Sequence, residues 1–135
     1  MNSTYTWYQT LIKPTWAPPA WIFGPVWSVL YLIIAITFTT LFYKVLKKEL
    51  PRYVALPFIL NLVFNFAFSP IQFILQNNIL ALIDVVLVVL TLVWGMVVLW
   101  KASSKLRWIV YLNIPYLLWG SFATILQATI TVLNL

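Results

Sequence analysis

"KPTWAPPAWIFGPVW", residues 13–27, places four prolines and three tryptophans immediately before and within the start of an uncharged apolar run that ends near Tyr43. Proline removes a backbone N–H and clashes with the preceding turn, so it is tolerated at a helix start and not in its interior. Pro14, Pro18 and Pro19 therefore hold an extended or turning segment ahead of the helix. Pro25 falls in about the first turn, where a missing N–H costs least. Tryptophan combines a large apolar body with one N–H, which suits Trp16 and Trp21 to the boundary between lipid and water. Two readings follow. The segment is an aromatic belt at a helix start, or it is a proline-braced lid over the mouth of a helix bundle.

The surrounding composition fixes the solvent. Of 135 residues, 64% are hydrophobic and 7% are charged. A soluble domain is roughly 45–50% apolar and about 25% charged, and a chain this short could not hide so much apolar surface from water. The sequence contains neither Cys nor His, which excludes disulfides, metal sites built on those residues and Ser–His or Cys–His catalytic pairs. Its net charge of +6 does not describe a nucleic-acid surface, because the basic residues sit at the ends of apolar runs, as in membrane proteins. Residues 1–12 lack a charged start followed by an apolar core, so no cleavable signal peptide is expected.

Four runs are long enough to cross a bilayer, which takes about 20 apolar residues. They cover about 20–43, 53–75, 79–100 and 108–133. Lipid leaves backbone polar groups no partners but each other, so each run is expected to be a helix. The fold class is an all-α integral membrane protein, a single transmembrane bundle over residues 1–135 with residues 1–19 as a Trp/Pro-rich outer segment. The first connection carries Lys44, Lys47, Lys48 and Arg52, and the third carries Lys101, Lys105 and Arg107. Two crossings separate them, so they share a side, and the positive-inside rule makes loops 44–52 and 101–107 cytoplasmic.

Polar residues within the runs follow helical stripes. Asn61, Asn65 and Gln72 lie near one face, with Phe68 between. Trp27 and Tyr31 form an i, i+4 pair. On the last run Asn113, Tyr116, Gly120, Ala123 and Gln127 line up, with Trp119 beside them. Such groups either join helices by hydrogen bonds or face an interior cavity. Their number and the aromatic neighbours favour a mixed aromatic and polar pocket. Asp84 is the one acid within a run. It is a functional candidate by default, although its place near a helix start also suits the helix dipole.

At these positions the sequence resembles the TspO family, the tryptophan-rich sensory and translocator proteins. The resemblance rests on "WYQTLIKPTWAPPAWIFGPVWSVLY" (7–31), "LNLVFNFAFSPIQF" (60–73), "ALIDVVLV" (81–88) and "PYLLWGSFATIL" (115–126). It implies a five-helix bundle, commonly a homodimer, whose pocket opens beneath the Trp/Pro segment and binds tetrapyrroles such as protoporphyrin IX. It implies Trp27 and Asn65 facing the ligand and Trp119 and Ala123 on the facing wall; the lid, the polar stripes and the intramembrane acid add Trp16, Tyr31, Asn61, Phe68, Asp84 and Tyr116 to the expected ligand-binding residues. Trp27 and Trp119 become the candidate catalytic residues if bound porphyrin is degraded in light and oxygen. No cofactor or metal is implied beyond the porphyrin as ligand, and the partners are that ligand, membrane lipid and a second copy. No nucleic-acid partner is implied.

The sequence departs from the family in three respects, one being Phe64 and Phe68 where many relatives carry Trp, which changes stacking without abolishing it. Members carry a helix before the Trp7–Tyr8 pair, where this chain has six residues, so four of five helices are expected here. The end of the last run, "LQATITVLNL", has no Tyr, Lys or Arg, so the animal members' sterol motif is absent and a bacterial cell membrane is the expected location. A rival reading is a small four-helix, proton-coupled multidrug exporter. That class needs an acid deep in the membrane, and only Asp84 is available.

Overall fold

The computed structural model describes residues 10–135, so residues 1–9 of the Trp/Pro-rich segment, with the Trp7–Tyr8 pair, lie outside the described residues. All regular structure among the described residues is helical. A 3₁₀ turn at Ala20–Ile22 leads into α1 (Phe23–Leu46), and another at Arg52–Val54 leads into α2 (Ala55–Ser69). A π-turn at Pro70–Ile74 follows α2. Then come α3 (Asn78–Ala102), α4 (Arg107–Leu112) and α5 (Ile114–Leu133). Four stretches are long and apolar enough to cross a membrane: Phe23–Leu46, Arg52–Gln72, Asn78–Ala102 and Arg107–Leu133.

Local chemistry explains where these elements begin and end. α1 runs to Leu46, three residues past the expected boundary, and takes Lys44 into its last turn. A lysine there complements the helix dipole and can reach water with its long stem. The helix then closes in a Schellman arrangement: Lys48 N–H donates to the Val45 carbonyl at 3.0 Å and Glu49 N–H to the Lys44 carbonyl at 2.9 Å. Lys48 occupies the left-handed position, with φ 62°. Asn77 caps α3, its Oδ1 accepting from Leu80 N–H at 2.9 Å. Pro70 has no N–H to continue α2, and Leu75 N–H donates instead to the Pro70 carbonyl at 2.9 Å, one residue wider than an α-turn. Pro115 likewise has no N–H for the Tyr111 carbonyl, and the last crossing is divided at Asn113.

α3 is the centre of the bundle and packs against α2 and α5. Lipid tails are as apolar as leucine, so these contacts rest on close van der Waals fit and interhelical hydrogen bonds. Small residues provide the fit. A Cβ on Gly95 would lie 2.8 Å from Phe58 Cζ, and one on Gly120 would lie 3.3 Å from Val89 Cγ2. α1 joins this core through Leu30, Ile34, Phe38 and Leu41, with Phe38 edge-on to Phe58 at 5.0 Å between ring centroids. The Asn113 amide ties the α4–α5 junction to α1 by donating to Thr37 Oγ1 at 3.0 Å. Elsewhere α1 and α2 are parted by an outward-opening apolar furrow between Ala35, Phe38, Leu62 and Phe66.

Ile12 of the Trp/Pro segment meets the end of α5. Ile12 N–H donates to Asn134 Oδ1 at 3.1 Å, and Asn134 Nδ2 donates to the Ile12 carbonyl at 2.8 Å. Trp16 packs edge-on against Phe122 at 5.8 Å. The described part of the Trp/Pro segment therefore lies along α5, at the end of the bundle opposite the two basic connections.

Candidate ligand-binding site

Beneath that segment lies a cavity of about 240 Å³. The α1 wall is Phe23, Gly24, Trp27 and Tyr31, where the three aromatics recur every four residues and so share a face. Trp27 and Tyr31 are 5.4 Å apart with planes tilted by 33°. The α5 wall opposite is Trp119, Gly120, Ala123, Leu126, Gln127 and Ile130. Phe23 and Trp119 join the two walls at 6.0 Å, and Phe122 stacks on Trp119 at 5.4 Å. α2 and the π-turn supply Asn65, Phe68, Ser69 and Gln72, and α3 supplies Val85 and Val88.

One side of the cavity is backed by a directional hydrogen-bond chain. Tyr31 Oη donates to Asn65 Oδ1 at 3.2 Å, and Asn65 Nδ2 donates to Tyr116 Oη at 2.7 Å. Tyr116 Oη donates to Asn61 Oδ1 at 2.9 Å, and Asn61 Nδ2 donates to the Val88 carbonyl at 2.9 Å. Every donor in the chain meets an acceptor, so the asparagine orientations are set by the network. The chain fixes Tyr31 and Asn65, its two members in the cavity wall. At the α3–α5 seam Gln127 Nε2 donates to the Asn78 carbonyl at 3.3 Å and to Thr131 Oγ1 at 3.2 Å, so its amide is engaged with protein.

The structure divides the expected site residues into three groups. Trp27, Tyr31, Asn65, Phe68, Trp119 and Ala123 line the cavity together. Asn61 and Tyr116 are fully buried behind Asn65 and support it. Trp16 and Asp84 are not in the wall: Trp16 covers Phe122 from outside, and Asp84 is buried on α3 beside Val85 with Oδ2 lacking a partner among the described residues. Lys13, a candidate to attract acidic groups, donates to the Leu11 carbonyl at 3.4 Å. Phe23 was not among the expected residues, although its place four before Trp27 carries the signal. Gln72 was legible only as a member of the Asn61–Asn65 stripe.

Chemically, the walls offer aromatic faces for a flat apolar molecule and amides for its polar edge. Among the described residues no Lys, Arg, Asp or Glu lines the cavity, so these residues supply neither a charge partner for an anion nor a conventional acid–base pair.

Comparison with known proteins accords with this arrangement. The TspO/MBR family profile matches residues 1–133. The tryptophan-rich protein TspO of Bacillus cereus is 37% identical over 96% of this chain and 81% of its own length. The protein of the same name from Chlorobaculum tepidum is 32% identical over 98% of this chain and 86% of its own. The human translocator protein is 34% identical over 90% of this chain and 70% of its own.

Proposed function

Because the chain belongs to the TspO/MBR family, we propose that it is a membrane receptor whose cavity binds a tetrapyrrole such as protoporphyrin IX. The observation that carries this reading is that Trp27 of α1 and Trp119 of α5 line one cavity with Asn65, whose amide is held by bonds to Tyr31 and Tyr116. Indole rings can stack on a porphyrin face, while the amide bonds its polar atoms. The names of the relatives, a sensory protein and a translocator, fit a ligand-responsive role.

Size sets a condition. About 240 Å³ lies below the roughly 300–1,000 Å³ of ordinary small-molecule sites, and a tetrapyrrole is larger than a drug fragment. The whole ring enters only if the segment around Ile12 to Trp16 lifts from α5 or part of the macrocycle protrudes between the helices. In this reading the basic connections face the cytoplasm of a bacterial cell and the ligand arrives from the opposite side.

Tryptophan-fluorescence quenching by protoporphyrin IX, titrated in the dark, tests the reading with Trp27→Phe and Asn65→Ala alongside. Saturable quenching that weakens in both variants supports it. Non-saturable quenching, or saturable quenching indifferent to both substitutions, overturns it. Repeating the titration under light and oxygen, with Trp119→Phe, reports whether bound porphyrin is consumed or only held.

A further inference from the structure

The furrow between α1 and α2 lies outside the cavity and shares only Tyr31 with it. It has a volume of about 390 Å³ and is walled by apolar side chains, among them Ala35, Phe38, Phe42, Leu62 and Phe66. Its α1 wall runs from Tyr31 to Phe42. At 1.5 Å per residue that is about 16 Å, roughly half the thickness of the hydrocarbon core. One end is closed. There Tyr31 bridges the two helices, donating to Asn65 Oδ1 at 3.2 Å and setting its ring 6.2 Å from that of Phe66. The other end runs toward the basic connections. Tyr43 and Tyr53, both more than half exposed, mark the boundary between lipid and water just beyond Phe42.

That boundary carries a large excess of positive charge. Lys44, Lys47, Lys48, Arg52, Lys101, Lys105 and Arg107 stand against one acid, Glu49. The two connections converge on this acid. Lys44 pairs with it at 2.8 Å, and Lys44, then more weakly Lys47 and Lys105, hold its carboxyl below the usual carboxylate range. Arg107 is engaged with Trp100, stacking 4.1 Å above the ring and donating to the carbonyl at 3.2 Å. Lys47, Lys48, Arg52 and Lys101 form no ion pair among the described residues.

We propose that the furrow seats one acyl chain of an anionic phospholipid from the leaflet beside the basic connections, with its phosphate held at Lys47 and Arg52. These two residues follow the last turn of the α1 wall and precede the start of α2. The closed end favours an occupant that reaches only to mid-membrane, because a helix crossing the whole bilayer would be seated over half its length. An acyl chain asks for no hydrogen-bond partner and gains dispersion contacts with the aromatic walls. A phosphate answers cations that the protein leaves unpaired, which a zwitterionic headgroup does less well.

The proposal is independent of the tetrapyrrole reading, and Tyr31, the one residue common to both spaces, stays unchanged in its test. Delipidated protein in detergent is titrated with dioleoyl phosphatidylglycerol or dioleoyl phosphatidylcholine, and bound lipid is counted by native mass spectrometry. Wild type is expected to retain one phosphatidylglycerol per chain, about tenfold more tightly than phosphatidylcholine, as two cations near the phosphate imply. Ala35→Phe fills the furrow from an exposed position in its wall and is expected to weaken both lipids together. Ala35→Leu serves if circular dichroism shows that the phenylalanine variant does not fold. Lys47→Gln with Arg52→Gln is expected to bring the two lipids within about threefold of each other while the phosphatidylcholine affinity stays. Excess glycerol 3-phosphate is expected to leave the bound lipid in place. Equal retention of both lipids by wild type, retention of neither, or a preference that survives in the double variant overturns the proposal. Retention undiminished in the Ala35 variants, or displacement by glycerol 3-phosphate, would reduce the contact to headgroup attraction and also overturns it. A lipid-free dimer that Ala35→Phe dissociates assigns the furrow to a second copy instead.

Discussion

Asn65 and Tyr116, 51 positions apart in the chain, share a 2.7 Å hydrogen bond in which the amide donates to the phenol. The phenol passes the same directionality to Asn61 at 2.9 Å. Tyr116→Phe keeps the ring and removes both bonds, leaving Asn65 Nδ2 and Asn61 Oδ1 buried without that partner. Interhelical bonds of this kind are worth about 0.6–2 kcal/mol each within membranes. The variant is expected to lose about 1–3 kcal/mol of stability and several-fold in protoporphyrin affinity, because Asn65 is no longer held. Thermal unfolding in detergent and the dark titration measure the two effects. An unchanged affinity in a destabilised protein would make Tyr116 a purely structural residue.

Gly95 of α3 packs directly against the Phe58 ring of α2. Its absent Cβ would lie 2.8 Å from Phe58 Cζ, and the Phe58 ring is itself buried edge-on against Phe38. Gly95→Ala is therefore expected to destabilise by about 1–3 kcal/mol through overpacking, despite alanine's better helix propensity. Gly95→Ala combined with Phe58→Leu should recover part of the loss. A stabilised single variant would mean that the ring can move aside freely.

Lys48 closes α1 in the left-handed region at φ 62°, a conformation that costs a non-glycine residue roughly 1 kcal/mol. Lys48→Gly should raise stability by up to about 1 kcal/mol. The Lys44–Glu49 ion pair at 2.8 Å remains in the variant and serves as an internal control. Its removal by Glu49→Gln should leave the midpoint nearly unchanged, since both partners are solvent-exposed and screened. Urea or thermal midpoints of the two variants provide the comparison.

Orientation is testable without background because the chain has no cysteine. Thr15 and Ser104 are exposed at opposite ends of the bundle. With the basic connections cytoplasmic, Thr15→Cys is expected to react with a membrane-impermeant maleimide in intact cells, and Ser104→Cys only after lysis. The reverse pattern would place the cavity mouth on the cytoplasmic side.

Much of this bundle could be read before any coordinates. The four apolar runs became four crossings, because runs of that length have no other stable form in lipid. Trp27 and Tyr31 met at helical spacing, and the Asn61–Asn65 stripe faced inward. The parts that were not legible depend on partners distant in sequence. A mid-span amide reads equally as helix glue or as cavity lining. Only the presence of Tyr116 and Val88 beside Asn61, and the lack of any such group at Gln72 among the described residues, separates the two. Asp84 similarly could not be assigned to wall or core from one strand of periodicity. Pro70 and Pro115 announced interruptions, but whether an interruption becomes a π-turn or a divided helix depends on which carbonyl the following N–H groups can reach.

The contact between Asn134 and Ile12 bears on how a ligand enters. Two side-chain bonds, at 3.1 and 2.8 Å, fasten the backbone of the Trp/Pro segment to the end of α5, and Trp16 adds its edge-on contact with Phe122. None of these groups lines the cavity, so they act on access rather than on the bound complex. Asn134→Ala should therefore speed association and dissociation of protoporphyrin IX together, by about three- to tenfold, with the dissociation constant changed by less than about threefold. That range corresponds to roughly 1 kcal/mol off the opening barrier, in keeping with the net worth of a pair of exposed hydrogen bonds. Stopped-flow quenching resolves the two rates. Acceleration of dissociation alone would mean that the segment touches the ligand directly, and unchanged rates would mean that entry runs between the helices from the lipid side.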